Sequence, residues 1–197
     1  MASDRRAEMV QALIELIADG GIENATVRRV ATRVGVSIGA VQHHFPTKAG
    51  MVVAATEELF ERTARRVAET TADSHGEERL RATASWLIAP GPSDELARVW
   101  LSLATLSVFD DEAGEVYRKH WRRVRGGLAD LMRQLRPGRG DASLEAAATA
   151  LLGLCDGLTL SVLSEPHQVR TDDARQIVDR WVTDWLDGPT TSADPTP

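Results

Sequence analysis

The sequence predicts an all-α protein of nine helices, and three observations carry that prediction. Apolar residues recur at helical spacing in the long segments, no stretch alternates β-branched and polar residues as a strand does, and the Gly and Pro residues fall between the periodic segments. The 197 residues are 43% apolar and 26% charged, which excludes a disordered, collagen-like or fibrous chain. A single cysteine, Cys155, excludes a disulfide framework and a cysteine-rich metal site.

Val10, Leu13, Ile14 and Ile17 repeat at i, i+3, i+4 and i+7 and define a first helix that stops at Gly20 and Gly21. Thr26 caps a short second helix whose inner face is Val27, Val30, Ala31 and Val34. Gly35 breaks it, Ser37 caps a third, and Pro46 ends the third at Phe45. Thr47 then caps a long fourth helix running toward Ala72. Five more helices are expected over 77–89, 94–109, 112–135, 144–163 and 172–186, separated by Pro90-Gly91-Pro92, Asp110-Asp111, the Pro137–Gly140 turn and Ser164-Glu165-Pro166. The organisation expected is a domain over 1–47, a second over 48–187, and a disordered Pro/Thr/Ser/Asp tail over 188–197.

The segment 146–163 carries one charge, Asp156, in eighteen residues. It sits at the short limit for crossing a membrane, contains Gly153 and Gly157, and lacks flanking Lys or Arg, so it reads as a helix of a globular protein. A helix apolar nearly all round must be covered on every side, in a domain centre or partly by a second subunit. The N-terminus, MASDRRAEMV, has no apolar stretch behind its arginines, which leads to the expectation of a cytoplasmic protein.

The net charge of −6 by itself argues against nucleic acid as a partner, but it is unevenly spread. From Asn24 to Thr56 there is no Asp or Glu, while Arg28, Arg29, Arg33 and Lys48 are present, so this window carries +4 and the remainder −10. A basic island in an acidic chain is the pattern of a nucleic-acid contact surface, although a run of solvated helix faces reads the same by charge alone.

The second and third helices have the spacing of a helix-turn-helix. On a helical wheel Val41 and Phe45 point inward, leaving Gly39, Ala40 and His43 on the outer face with Ile38, Gln42 and His44 on its flanks. Small residues at the start of that face let the helix approach base edges, and Gln42 matches the N6/N7 edge of adenine. Thr26, Arg28, Arg29, Thr47, Lys48 and the helix N-termini suit phosphate oxygens. His44 reads equally as a surface or capping residue, and Gly39 also fits a packing role. Neighbours on a helix point about 100° apart, so His43 and His44 do not make a metal site.

The stretch TVRRVATRVGVSIGAVQHHFPTKAGM resembles the DNA-binding domain of the TetR family of bacterial transcriptional regulators, in its GVS-x-G turn and HF-x-x-K ending. EVYRKHWRRVRGGLADLM and LLGLCDGLTLSVL are similar to the C-terminal domain of its BetI-like branch. The resemblance implies a homodimer that binds a double-stranded DNA operator and is released by a small-molecule effector. By position it implies DNA contacts at Thr26, Arg28, Ser37, Gln42, His43, His44 and Lys48. Many members have Tyr where Gln42 stands, which shifts the expectation there from phosphate contact to base readout.

The tryptophans and the tyrosine all lie beyond residue 85. Trp86, Trp100, Phe109, Tyr117 and Trp121 are candidate walls of a cavity for a flat apolar ligand or a quaternary ammonium, and Asp156 is a candidate to orient it. Each also reads as ordinary core packing, and a lone carboxylate such as Asp156 as one bonded to a neighbouring helix. The cations Arg118, Lys119, Arg122, Arg123 and Arg125 form a solvated face beside the inner stripe of Tyr117, Trp121, Val124 and Leu128. Leu151, Leu158 and Val162 on the penultimate helix, with Ile177, Trp181 and Trp185 on the last, are candidates for a four-helix dimer interface. An enzyme is disfavoured, because Cys155 has no catalytic partner at a motif spacing, and no Gly-rich phosphate loop, cofactor motif or paired metal ligands occur. A DNA-binding activator or architectural dimer without a ligand is the other alternative.

Overall fold

The computed structural model describes residues 2–188, and among them it has nine α-helices and no strand. The helices are α1 (Ala2–Gly20), α2 (Val27–Val34), α3 (Ile38–His44), α4 (Lys48–Thr70), α5 (Gly76–Trp86), α6 (Glu95–Leu106), α7 (Asp111–Leu135), α8 (Asp141–Ser164) and α9 (Thr171–Asp187), with one 3₁₀ turn, Ile22–Asn24, between the first two. The expected tail lies outside the described residues from position 189 onward.

The chain forms two compact units. One combines the residues up to Ala64 with Ser93–His120, the other Arg65–Pro92 with the residues from Trp121 on, so α4 and α7 each contribute to both. The boundary expected after residue 47 marks the end of the helix-turn-helix and falls inside the first unit.

The core of the first unit is built on α1. Leu13 and Ile14 are fully buried, with Val10 and Ile17 close behind, and they pack with Val30 and Ala31 of α2, Val41 of α3, Phe45, and Met51, Val52, Ala55 and Leu59 of α4. Val99 and Leu103 of α6 join the same cluster. This arrangement seats α2 and α3 on an apolar platform and leaves their opposite faces in solvent.

In the second unit α5, α8 and α9 pack around Leu80, Ala84, Leu144, Ala148, Leu151, Cys155, Val162, Ala174, Val178 and Val182, while Leu128 and Met132 of α7 are also buried. Here α5 ends three residues short of its apolar pattern. The hydroxyl of Thr159 in α8 accepts from the Ala89 N–H at 3.2 Å and donates to the Leu87 carbonyl at 3.1 Å, and Thr171 donates to the Ala89 carbonyl at 3.1 Å. These bonds satisfy backbone groups that a longer helix would otherwise pair internally. At the other edge of this unit Arg81 of α5 donates to Asp179 Oδ1 of α9 at 2.5 Å and to Thr183 at 2.9 Å. From the loop after α7, Arg136 donates to the carbonyls of Leu186 and Gly188 and so closes the C-terminus of α9.

Candidate nucleic-acid interface

Three hydroxyls start α2, α3 and α4. Thr26 Oγ1 accepts from the Arg29 N–H at 3.3 Å, Ser37 Oγ from the Ala40 N–H at 3.1 Å, and Thr47 Oγ1 from the Gly50 N–H at 2.9 Å. Each oxygen uses a lone pair for its cap and retains its own O–H, which a phosphate oxygen can accept. Between α2 and α3, Gly35 stands at φ +71°, ψ 38°, the left-handed conformation that ends a helix cheaply only for glycine. The turn it makes fixes the angle at which α3 leaves α2.

Helix α3 divides cleanly. Val41 is fully buried and Phe45 nearly so, with the Arg6 guanidinium 5.4 Å above the Phe45 ring. Ile38, Gly39, Gln42 and His43 are exposed, and Ala40 and His44 half-buried. Ile38 stands 49% open at the first position of the helix, an apolar group presented to solvent of the kind that meets a thymine methyl. The His43 and His44 rings meet edge-on at 5.5 Å, and no metal-binding cluster occurs among the described residues.

The cations of the basic window are tied mostly to α1 and the turn that follows it. Arg33 pairs with Glu15 at 2.8 Å and Asp19 at 3.5 Å, Arg29 donates to the Asn24 side chain, and the Lys48 ammonium lies 3.2 Å from the Glu23 carboxylate. Sequence reading did not single out Glu15, Asp19 or Glu23, because they lie outside the basic window and their partners are up to 25 residues away.

Residues 10–55 match the family model described as "Bacterial regulatory proteins, tetR family", and residues 76–187, more than half of the chain, match "BetI-type transcriptional repressor, C-terminal". The chain belongs to the TetR family. Among curated proteins it is 30% identical to the HTH-type transcriptional regulator BetI of Cronobacter sakazakii, over 93% of this chain and 92% of that one. It is 29% identical to BetI 1 of Chromohalobacter salexigens, over 92% and 90%. Among solved structures, a transcriptional regulator from Rhodococcus sp. Rha1 superposes with a TM-score of 0.83 at 30% identity, covering 95% of this chain and 99% of that one. A transcriptional regulator from Saccharomonospora viridis, in complex with choline, superposes with a TM-score of 0.82 at 24% identity, covering 92% and 96%. The protein is a DNA-binding transcriptional repressor of the BetI type, and the family consists of regulators, not enzymes.

For a TetR-family regulator the remaining question is where its effector and its second copy bind. Of the candidate effector residues, the fold joins Trp121 and Asp156: the indole Nε1 of Trp121 on α7 donates to Asp156 Oδ2 on α8 at 3.2 Å. Burial pushes the Asp156 carboxyl up to about 6, with the Trp121 bond acting in the opposite direction. Trp86 is half-buried on α5 in the same unit. Trp100 packs against the core of the first unit, and Tyr117 meets Phe60 edge-on at 6.4 Å, while His120 stacks on Phe60 at 4.3 Å. Phe60 and His120 were missed because nothing in helix periodicity links positions sixty residues apart. Phe109 departs from its expected role: it stands 83% exposed in the turn after α6, beyond the helix that was to aim it inward.

The dimer candidates divide as well. Leu151 and Val162 are buried in the core of their own protomer, and Trp185 is 9% exposed beneath the Arg139 guanidinium, 5.1 Å above its ring. These three side chains are taken up largely by their own protomer, so the more open of the expected interface residues are the other three. Leu158 and Trp181 are half-buried, and Ile177 is 47% exposed. The outward stripe of α8 is instead Ala146, Ala150, Gly153, Gly157 and Leu160, one face at helical spacing. A groove of about 420 Å³ between α8 and α9 is lined by Leu154, Gln176, Ile177, Arg180 and Trp181, among others.

Proposed function

We propose that the protein acts as a homodimer, held through α8 and α9, that reads a pseudo-palindromic operator with one α3 in each of two major grooves and is released when a cationic small molecule binds the C-terminal half. Gln42, Ile38, Gly39, Ala40, His43 and His44 face base edges in this reading, and Thr26, Arg28, Arg29, Ser37, Thr47 and Lys48 face phosphates. The single observation that carries the DNA arm is the geometry of α3: its inward residues are buried and its small and polar residues open, with a capped N-terminus on either side of it.

The dimer arm rests on the outer stripe of α8 with Ile177 and Trp181 of α9. An apolar face of this size stays in water only at a cost, and small residues allow a second copy of the same helices to approach closely. The effector arm rests on Trp121 and Asp156. An aromatic ring that holds a mostly buried carboxylate matches a quaternary ammonium, through cation–π attraction and charge, and a regulator of the same fold is described with choline. Binding of about 1–3 kcal/mol preference for the released state weakens operator affinity about 5–150-fold. A regulator of this kind works in the cytoplasm, with the genome.

Selection of bound duplexes from a random pool tests the reading. The enriched sites are expected to be pseudo-palindromes with half-site centres about 34–36 Å apart or a modest deviation from that, and choline is expected to release the dimer from them. Enrichment of single half-sites or of no site overturns the dimeric operator, and release failing with choline overturns the assigned effector class.

A further inference from the structure

The basic window owes its +4 to four side chains, and three of them are held by acceptors contributed from α1 or the turn after it. The three acceptor sets differ in chemistry. Asn24 offers Arg29 a neutral amide oxygen, which carries no net charge to compete with a phosphate. Glu15 and Asp19 hold Arg33 back along the α1 side of α2. Glu23 puts a full negative charge, as Glu15 and Asp19 do on Arg33, on Lys48, the cation that begins α4 and that the proposed reading sets at a phosphate.

Glu23 is fixed from below and open above. Gly21, at φ +72°, starts the 3₁₀ turn, which is closed by the Asn24 N–H to the Gly21 carbonyl at 3.0 Å and the Ala25 N–H to the Ile22 carbonyl at 3.1 Å. Ala25 is fully buried, so the turn cannot swing away from the head. The Glu23 side chain itself is 86% exposed and that of Lys48 48%. Such a solvated pair is worth about 0–1 kcal/mol. A pair of that strength engages the ammonium for part of the time in the free protein and yields readily to a phosphate.

We propose that Glu23 is a built-in competitor for the phosphate contact of Lys48, a positioning residue that caps the affinity of the head for DNA of any sequence. In the free protein the Glu23 carboxylate neutralises Lys48; on DNA the ammonium passes to a phosphate, and the carboxylate stays behind on a turn that cannot withdraw it. The contact is to the backbone, so operator and random DNA are penalised alike. A ceiling on affinity has a use in a switch: an effector that weakens binding by a limited factor empties the operator only if the starting affinity is not far above what the cell needs.

The inference rests on Lys48 lying at a phosphate, and a four-protein cycle separates the two. Wild type, Glu23→Gln, Lys48→Ala and the double variant are titrated with a duplex enriched from the random pool and with a random duplex of equal length, at several salt concentrations. Glu23→Gln is expected to tighten both duplexes about 2- to 5-fold and to steepen the slope of log K against log[salt] by up to about 0.9. In the Lys48→Ala background the same change is expected to gain clearly less, because the ammonium it frees is gone and only the carboxylate's own repulsion of the phosphates is removed. A neutral or weakening Glu23→Gln, or a gain of undiminished size without Lys48, overturns the competitor role. If Lys48→Ala alone leaves both affinities unchanged, the phosphate contact itself is wrong. Circular dichroism of all four is expected to be the same, since both side chains are exposed.

Discussion

Helix α3 and helix α8 present opposite kinds of surface to solvent. On α3 the apolar residues are confined to one side, and what faces outward is small or polar around a single exposed isoleucine. On α8 apolar residues lie nearly all round, and they divide between two sides: Leu151, Cys155 and Val162 go inward, while Ala146, Ala150 and Leu160, with Gly153 and Gly157 between them, stay out. The first surface suits a hydrated, charged ligand whose grooves are read by hydrogen bonds. The second suits a copy of itself. The difference shows that an amphipathic pattern tells which face meets water, whereas a uniform pattern tells only that a partner is needed.

The largest effects lie at neighbouring positions on α8. Leu151→Ala removes a fully buried side chain and is expected to destabilise the protomer by about 3 kcal/mol in urea or thermal unfolding. Two residues on, Gly153→Arg places a long cation on the outer stripe, where an added Cβ meets nothing within 4 Å in the protomer. It is expected to leave the helical content unchanged and to shift the sedimenting species to a monomer, with operator binding lost alongside. If Gly153→Arg remains dimeric, the outer face of α8 is not the interface.

On α3, Gln42→Ala is expected to reduce discrimination at one operator base by about 1–3 kcal/mol while leaving random-DNA affinity nearly unchanged. Equal loss on both duplexes moves Gln42 from base readout to the backbone. The comparison of the two surfaces would then narrow, since α3 would contact the DNA chiefly as a scaffold for phosphate.

Asp156 supplies a pH test of intermediate size. Its carboxyl is raised to about 6, above the ordinary 3.8, so the folded protein binds a proton that the unfolded chain has already lost. Stability associated with this group is therefore full below pH 4, falls as the pH rises toward 6, and is flat above it, an effect on the order of 2 kcal/mol. Choline affinity is expected to run the other way and to rise through pH 6 as the carboxylate forms. In Asp156→Asn both dependences are expected to flatten, as unfolding midpoints and calorimetric titrations across about pH 4–8 would record.

The smallest effect is the most diagnostic. Gly126 and Gly127 lie in the middle of α7, exposed, with open space around an added Cβ. Nothing in the fold requires glycine there, so alanine at each is expected to stabilise the protein by up to about 1 kcal/mol. Gly153 has equally open surroundings within the protomer. Gly153→Ala is expected to stabilise the isolated helix yet weaken the dimer, as a concentration-dependent melting temperature would reveal, because in the proposed dimer a second copy fills that space.

Much of this was legible before any coordinates. The caps Thr26, Ser37 and Thr47, the breaks at Gly35 and Pro46, and the burial of Val30, Val41 and Phe45 all follow from side-chain chemistry acting within a few residues, so the head was read almost complete. Helix ends governed by other helices were not. The apolar pattern carries α5 three residues past Trp86, and only the hydroxyls of Thr159 and Thr171 explain why it stops. Phe109 failed for the related reason that α6 ends at Leu106 and its aim is lost.

The sequence by itself determined the helical class and the helix-turn-helix, because local caps, turns and one-sided periodicity each have a single reading. Tertiary structure alone decided which side of α8 turns inward, that Trp121 reaches Asp156, and that Lys48 is held by Glu23. The physical reason is common to all three. A helix that is apolar on every side has no phase, and contacts between residues 25 or 35 positions apart depend on how helices are stacked, which no local rule contains.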